Sequence, residues 1–343
     1  MKTNALTASI AICATKLTKR MFTRKDIEFR SIFVINCLEE KSFKVQNGEL
    51  LLKDNNTGMT LTKFPFQKIL ALFIIGHATI TTPLIEKCRK HGVYIAVLKP
   101  NLRPIFTCDN NAEANFLLRE RQYTHNSEDV SLPKLIVNNK ISNQLKLLLN
   151  TRRKDSLTIH AINTCEEALV TIKQAKSFRD LMGIEGWAAK SFFNAYYQDM
   201  NWKQRQPRIK CDEINVTLDI GYTLLFNYIE TFVRMFGFDL YCGFYHRQWF
   251  KRKSLVCDLM EPFRCIIDRE VRKSFNLHHF KKEHFKSVKN EYILIPEFNS
   301  LYYNTFFRVL VNYKINTFNF IQQFYRQFMR GRFDELTFPK FEI

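Results

Sequence analysis

The spacing of apolar residues changes once along this chain, near Asn110, and that change restricts the folds open to it more than any other feature. Before it come short β-favouring runs, Ser31 to Cys37, Phe43 to Val45, Leu50 to Leu52 and Met59 to Leu61, separated by Asn47-Gly48 and Asn55-Asn56-Thr57-Gly58. Asn-Gly favours the positive φ values of tight hairpins, so these runs predict a small antiparallel meander. Ile69 to Ile75 then reads as a buried strand, Thr82-Pro83 as the start of a helix over Leu84 to Lys90, Gly92 as its stop and Val93 to Leu98 as a further strand. After Ala112 apolar residues recur at i, i+3 and i+4 in Ala114 to Tyr123, Ile141 to Leu149, Cys165 to Ala175, Glu185 to Tyr197, Val216 to Phe236 and Tyr302 to Met329. That is the period of helices packed along one face. The expected class is α+β: a small, mainly β, sandwich-like domain over residues 1–107, then a larger all-α domain over 108–343.

Composition removes several functions. With 46% hydrophobic residues the chain can bury a real core, so disorder is excluded as its main state. No apolar run reaches the roughly 18 residues of a membrane span; the run from Ile69 to Ile75 is broken by Gly76 and His77. Ala5 to Ala14 resembles a secretory segment only faintly, because Thr7, Ser9 and Cys13 interrupt it and Lys16, Lys19 and Arg20 follow. Nine cysteines without a CxxC pair argue against a disulfide framework or zinc ribbon, and place the chain in the reducing cytoplasm. None of the 10 glycines builds a GxGxxG or GxxxxGK[ST] cradle, so nucleotide chemistry is not implied. The 32 phenylalanines read as core.

The charge then names the partner class. Lys and Arg number 52 against 33 Asp and Glu, a balance of +19, which calls for a polyanion. Residues 1–110 carry +9 and residues 111–343 carry +10, so the charge is not a detachable tail. Residues 247–289 hold 12 basic and 5 acidic residues. His246, immediately before that strip, is followed inside it by Asp258 and Glu261, a carboxylate pair at i, i+3 that projects to one side of a helix and can offer oxygens to one cation. The same pair also fits a helix capping box, with Pro262 near a helix start. Cys242, His246 and Cys257 match no standard zinc spacing and read as buried thiols beside a histidine. Upstream, Glu185 lies between Gly183 and Gly186, read as the beginning of a helix where its carboxylate can point into a cleft.

Three segments in this order, GIEGWAAKSFF, RQPRIKCDEINVTLDIGYTLL, and GFYH followed by SLVCDLMEPFRCIIDREV, resemble the signature of the CRISPR-associated protein one family of integrases. The early strands and ATITTPLIEKCRKHGVYIAV resemble that family's N-terminal β domain, so the resemblance covers most of the chain. It implies a divalent metal, Mg²⁺ or Mn²⁺, held by Glu185, His246 and Glu261, with Asp258 in a supporting role in the catalytic set. One departure stands out: Phe192-Phe193 replaces a Tyr-Phe pair frequent in the family, and neither Tyr196 nor Tyr197 can be assumed to supply the missing hydroxyl.

The implied activity is metal-dependent joining of 3′-hydroxyl DNA ends into a CRISPR repeat array by transesterification. A structure-selective endonuclease acting on branched DNA and a noncatalytic nucleic-acid-binding subunit are the alternatives. The resemblance further implies a homodimer formed through the N-terminal domains, a higher assembly on double-stranded DNA, and the small CRISPR-associated protein two as partner. Arg205, Arg208, Arg247, Lys251, Arg252 and Arg264 are the candidate DNA contacts nearest the quoted segments.

Overall fold

A computed structural model describes residues 22–108, 112–152, 154–200, 202–331 and 333–343. The Ala5 to Ala14 segment and Cys13 lie outside the described residues. After a short helix α1 (Arg24–Phe29), strands β1 (Ser31–Gln46), β2 (Glu49–Asp54) and β3 (Thr60–Pro65) form the antiparallel meander, with Asn47 and Gly48 both at positive φ in its first turn. Strand β4 (Ile69–Thr79) then pairs parallel to β1, and β5 (Tyr94–Leu98) parallel to β4. The crossover between them is α2 (Thr82–His91), which Pro83 starts and Gly92, in the left-handed region, stops. An antiparallel edge strand β6 (Pro104–Cys108) completes one six-stranded sheet, ordered β3-β2-β1-β4-β5-β6.

Sandwich-like packing arises here by bending that single sheet. The register of β1 on β4 slips between Cys37 and Lys41, and Phe33 of β1 meets Phe64 of β3 with ring centroids 4.0 Å apart. Leu50 and Leu52 of β2 thereby share a core with Ile69, Leu72 and Ile74 of β4 and with Leu84 and Cys88 of α2. The opposite face of β4 and β5 joins the core of the second domain, where Phe73 packs on Phe307 at 5.1 Å. Burial on both faces explains why β4 reads as an unbroken apolar run.

The remainder is helical: α3 (Phe116–Tyr123), α4 (Ser131–Leu149), α5 (Ser156–Thr171), α6 (Phe178–Tyr196), α7 (Glu213–Arg234), α8 (Ser254–Met260) and α9 (Arg264–Asn276). A hairpin of β7 (Phe285–Val288) and β8 (Glu291–Leu294) follows, then α10 (Asn299–Asn312) and α11 (Lys314–Arg330). The hairpin qualifies the all-α expectation for residues 108–343; its two-residue turn puts both Lys289 and Asn290 at positive φ. The span from Tyr302 to Met329, expected as one helix, is two that meet at Tyr313. No helix among the described residues is long and apolar enough to cross a membrane.

Candidate active site

The site begins with a residue on the wrong face of a helix. Ile136, Val137 and Ile141 give α4 a buried apolar stripe, and Lys140 sits on that stripe. Its ammonium donates to Glu185 of α6 and lies 2.6 Å from Glu261 Oε2. Burial pulls the Lys140 pKa down, but Glu185 and then Glu261 outweigh it and hold the ammonium above the usual lysine range. Burial likewise raises Glu261; Arg264, Lys140 and His246 together reverse this and hold its carboxyl well below the usual range. Arg264 Nε donates to Glu261 Oε2 at 2.9 Å.

Glu185 does not lie at a helix start. A capping box between Ser177 and Asp180 begins α6 earlier, at Phe178, so Glu185 falls in the helix interior. A Cβ at Gly183 or at Gly186 would meet nothing within 4 Å, so these glycines serve no close backbone approach. The Tyr245 hydroxyl donates to Glu185 Oε2. Tyr245 therefore supplies a hydroxyl to this carboxylate, whereas Tyr197 donates to the Asp268 carbonyl at 2.9 Å and the Tyr196 ring lies under Arg272 at 4.7 Å.

Asp258 and Glu261 do not form a capping box, and their carboxylates do not converge on one point. Pro262 has no N–H to continue α8, which ends at Met260 in a tighter turn carrying Glu261. Asp258, wholly buried, faces the loop before α8 and accepts the backbone N–H groups of Phe244 (2.6 Å), Tyr245 (3.0 Å) and His246 (2.8 Å). Its Oδ1 also lies 2.7 Å from His246 Nδ1. That bond puts the ring proton on Nδ1 and leaves Nε2 as an acceptor, 3.9 Å from Glu261 Oε1. The approach requires Gly243, where a Cβ would stand 2.8 Å from Asp258 Oδ2 and 2.7 Å from Ser254 Cβ.

Behind Arg264, Tyr222 of α7 donates to Asp268 of α9, and the Arg264 guanidinium lies 4.7 Å from the Tyr222 ring centroid. Burial pushes the Asp268 carboxyl up to about 6, against the Tyr222 hydrogen bond and the charge of Arg264.

Among the described residues no three His, Cys, Asp or Glu side chains stand close enough in this arrangement to share an ion. The Lys140 ammonium holds the space between the two glutamates. The donor set nevertheless fits a divalent cation: two carboxylates already converge on one positive charge, and His246 presents Nε2 with its other nitrogen fixed by a carboxylate.

These groups open into a cavity of about 1050 Å³. Of the six basic candidates, Arg205, Arg208, Lys251, Arg252 and Arg264 line it, while Arg247 lies in a separate hollow beyond His246. Arg264 is tied to Glu261, and Arg205 to Asp219 and Asn215. Much of the basic strip is similarly committed, Lys253 to Glu230 and Arg272 to Asp199. Cys242 donates to the Gln122 carbonyl at 3.5 Å, outside the cluster.

A curled β domain joined to a helical domain is the architecture of the solved casposase and Cas1 chains that this one resembles. It matches a solved casposase bound to integration product with a TM-score of 0.72 at 21% identity, over 91% of this chain and 94% of that one. It also matches a chain of a Cas6-RT-Cas1–Cas2 complex with a TM-score of 0.73 at 18% identity, over 92% of this chain and 36% of that one. The family described as CRISPR associated protein Cas1 matches residues 37–307, and the chain belongs to that family. A curated relative, a CRISPR-associated endonuclease Cas1 of Thermodesulfovibrio yellowstonii, is 30% identical over 232 residues, 64% of this chain and 73% of the relative.

Proposed function

We propose that this chain is a divalent-metal-dependent DNA integrase of CRISPR adaptation, which joins 3′-hydroxyl ends of captured DNA fragments into the repeat array. The observation that carries the reading is the convergence of Glu185 and Glu261 on one cation position beside His246 Nε2, inside a cleft with a basic rim. Glu185, His246 and Glu261 would hold Mg²⁺ or Mn²⁺, which supplies charge neutralisation at a phosphate and lowers the pKa of a bound hydroxyl. Asp258 keeps the imidazole in the tautomer that offers Nε2. Arg208, Lys251 and Arg252 on the cavity wall receive backbone phosphates, a contact that positions DNA without reading its sequence. In the joining step the 3′-hydroxyl gives up its proton as its oxygen forms a new bond to phosphorus, the existing ester bond breaks, and the departing oxygen takes up a proton. One phosphodiester replaces another, so no nucleotide cofactor is needed.

The similarity to a Cas1–Cas2 complex supports the small CRISPR-associated protein two as partner. Edge strands β3 and β6 expose Leu61, Ile105 and Phe106, apolar residues available for the proposed N-terminal dimer contact. The test is strand transfer into a repeat-bearing plasmid with Mg²⁺ or Mn²⁺, scored for joined as well as cut products. Joined products from wild type, and none from Glu185→Ala or His246→Ala that still bind DNA, support the reading. Cut products alone indicate hydrolysis by water at the same site. Undiminished joining by the assembled complex when it carries either variant leaves the chain a noncatalytic binding subunit.

A further inference from the structure

Helix α4 buries four polar side chains, Asn139, Lys140, Asn143 and Gln144, on the face that also carries Ile136, Val137 and Ile141. Two of the three amides are fully engaged. Asn139 accepts the Phe341 N–H at 2.9 Å and donates to the Phe341 carbonyl at 2.8 Å. Asn143 donates to the carbonyls of Pro262 and Phe341, both at 2.9 Å, and accepts the Ile343 N–H at 3.1 Å. Gln144 differs. It is 2% exposed, and its Oε1 is shut away from water with no donor within hydrogen-bond distance. Several other buried side-chain atoms lack a partner, but among the described residues Gln144 is the one of them that lines the main cavity.

A carbonyl oxygen kept from water without a donor costs free energy, so an orphan in a reaction cleft calls for a donor that arrives in another state of the site. Several donors lining the same cavity already have partners: the Tyr222 hydroxyl is held by Asp268, Arg205 by Asp219 and Asn215, and Lys253 by Glu230, while Arg264 rests on the Tyr222 ring beside Glu261. Lys140 stands apart, because its two acceptors are the glutamates proposed to hold Mg²⁺ or Mn²⁺. A cation seated there leaves the ammonium in need of another acceptor. Gln144 follows Lys140 by one turn on the same helix face, and helical side chains lean towards the preceding turn, which carries Gln144 towards Lys140. An ammonium on a flexible four-carbon stem has three donors and can exchange acceptors without moving the backbone.

We propose that Gln144 is a positioning residue whose Oε1 receives the Lys140 ammonium when a divalent cation takes the ammonium's place between Glu185 and Glu261. The proposal rests on the metal-dependent reading above and deepens it, since one face of α4 then both fills the site at rest and rehouses the displaced ammonium. Gln144 acts through Lys140 in this scheme and touches neither the cation nor DNA.

The experiment compares the full chain as wild type, Gln144→Met, Lys140→Met and the double variant, without DNA. Methionine matches glutamine in length and removes the acceptor. Electron paramagnetic resonance of unbound Mn²⁺ gives the Kd of each protein, and scanning fluorimetry in EDTA gives its melting temperature. Gln144→Met should bind Mn²⁺ about tenfold to a hundredfold more weakly than the wild type, the worth of one hydrogen bond to a charged group. In EDTA it should melt no lower than the wild type, because Oε1 has no donor to lose there. In the Lys140→Met background the glutamine substitution should leave the Mn²⁺ Kd unchanged, because no ammonium has to be rehoused. Equal weakening in both backgrounds overturns the proposal, since Gln144 would then act on the ion or its waters directly. So does an unchanged Kd in Gln144→Met, or a lower melting temperature in EDTA, which would mean that Oε1 already holds a partner. Strand transfer by the same proteins separates the two readings. A wild type that shows the coupling but joins no DNA keeps the Gln144 role and removes the integrase reading. A wild type that joins DNA without the coupling keeps the integrase reading and removes the Gln144 role.

Discussion

Replacing Lys140 by Met tests whether the ammonium is the cation around which the two glutamates are arranged. Methionine keeps most of the volume and removes the charge, so the core of α4 need not rearrange. Lys140 is only 10% exposed and Glu261 2%, and their N–O separation is 2.6 Å. Removing one member of a buried ion pair costs about 3–5 kcal/mol. The lower end applies here, because Glu261 keeps Arg264 and Glu185 keeps the Tyr245 hydroxyl. At about 2 °C per kcal/mol for a chain of this size, a loss of about 3 kcal/mol lowers the melting temperature in EDTA by roughly 6 °C. Manganese should act in the opposite sense. At a hundredfold excess over its Kd an ion stabilises a folded chain by about 2.7 kcal/mol. The variant should show more of that gain than the wild type at equal Mn²⁺, since the wild type must first displace its own ammonium. Differential scanning fluorimetry in EDTA and across a Mn²⁺ titration reads both effects. Identical melting of the two proteins in EDTA, or identical shifts with Mn²⁺, refutes the reasoning.

Asp258→Asn sets an amide N–H₂ against a histidine nitrogen or backbone N–H groups that now find an acceptor; it should cost about 3 kcal/mol and abolish joining while DNA affinity persists. Nitrogen NMR of His246 reads the change in tautomer, which a purely structural loss would not produce. Gly243→Ala places a methyl 2.8 Å from Asp258 Oδ2, and should destabilise by about 1–3 kcal/mol in chemical denaturation and weaken joining in parallel. Asp268, raised to about 6 by burial, makes the folded state hold a proton that the unfolded chain releases near its ordinary value of 3.8. This carboxyl therefore lowers stability as pH climbs from about 4 to about 6, by up to about 3 kcal/mol, and the deficit persists above that window. Asp268→Asn, which retains an acceptor for Tyr222, should raise the melting temperature at pH 8 and not at pH 4.

Local chemistry made much of the first domain readable. The Asn47-Gly48 turn, Pro83 at the start of α2 and Gly92 at its end act through their own φ preferences, and the structure uses each as expected. Features decided by distant partners were not readable. Strand β6 begins at Pro104 and exposes Ile105 and Phe106, so it carries no alternation, and it exists because β5 offers an edge. The β7–β8 turn uses Lys289-Asn290 in place of a glycine. In the site, the carboxylates and His246 could be named from spacing and resemblance, but Lys140 lies 45 residues before Glu185. The local signal for it is weak, because the buried face of α4 that carries Lys140 among Ile136, Val137 and Ile141 also holds Asn139, Asn143 and Gln144. Tyr245 was visible inside the GFYH segment, yet nothing in the sequence aims its hydroxyl at Glu185.

The charges in the cluster explain how an acidic pocket can serve a chain of +19. The carboxylates of Glu185, Asp258 and Glu261 face the two cations Lys140 and Arg264, and these five side chains together carry one formal negative charge. A phosphate approaching that arrangement is attracted by the rim and repelled by the centre. A divalent ion between the glutamates, in place of the Lys140 ammonium, would cancel the charge that the three carboxylates and Arg264 leave, so the centre would cease to repel a phosphate only after the ion is in place. General basicity cannot impose that order, because Arg208, Lys251 and Arg252 attract a polyanion whether or not the ion is present. DNA affinity measured across salt should therefore depend weakly on Mn²⁺ for bulk duplex and strongly for an end placed in the cleft. Equal dependence for both would mean that the glutamates do not face the phosphate.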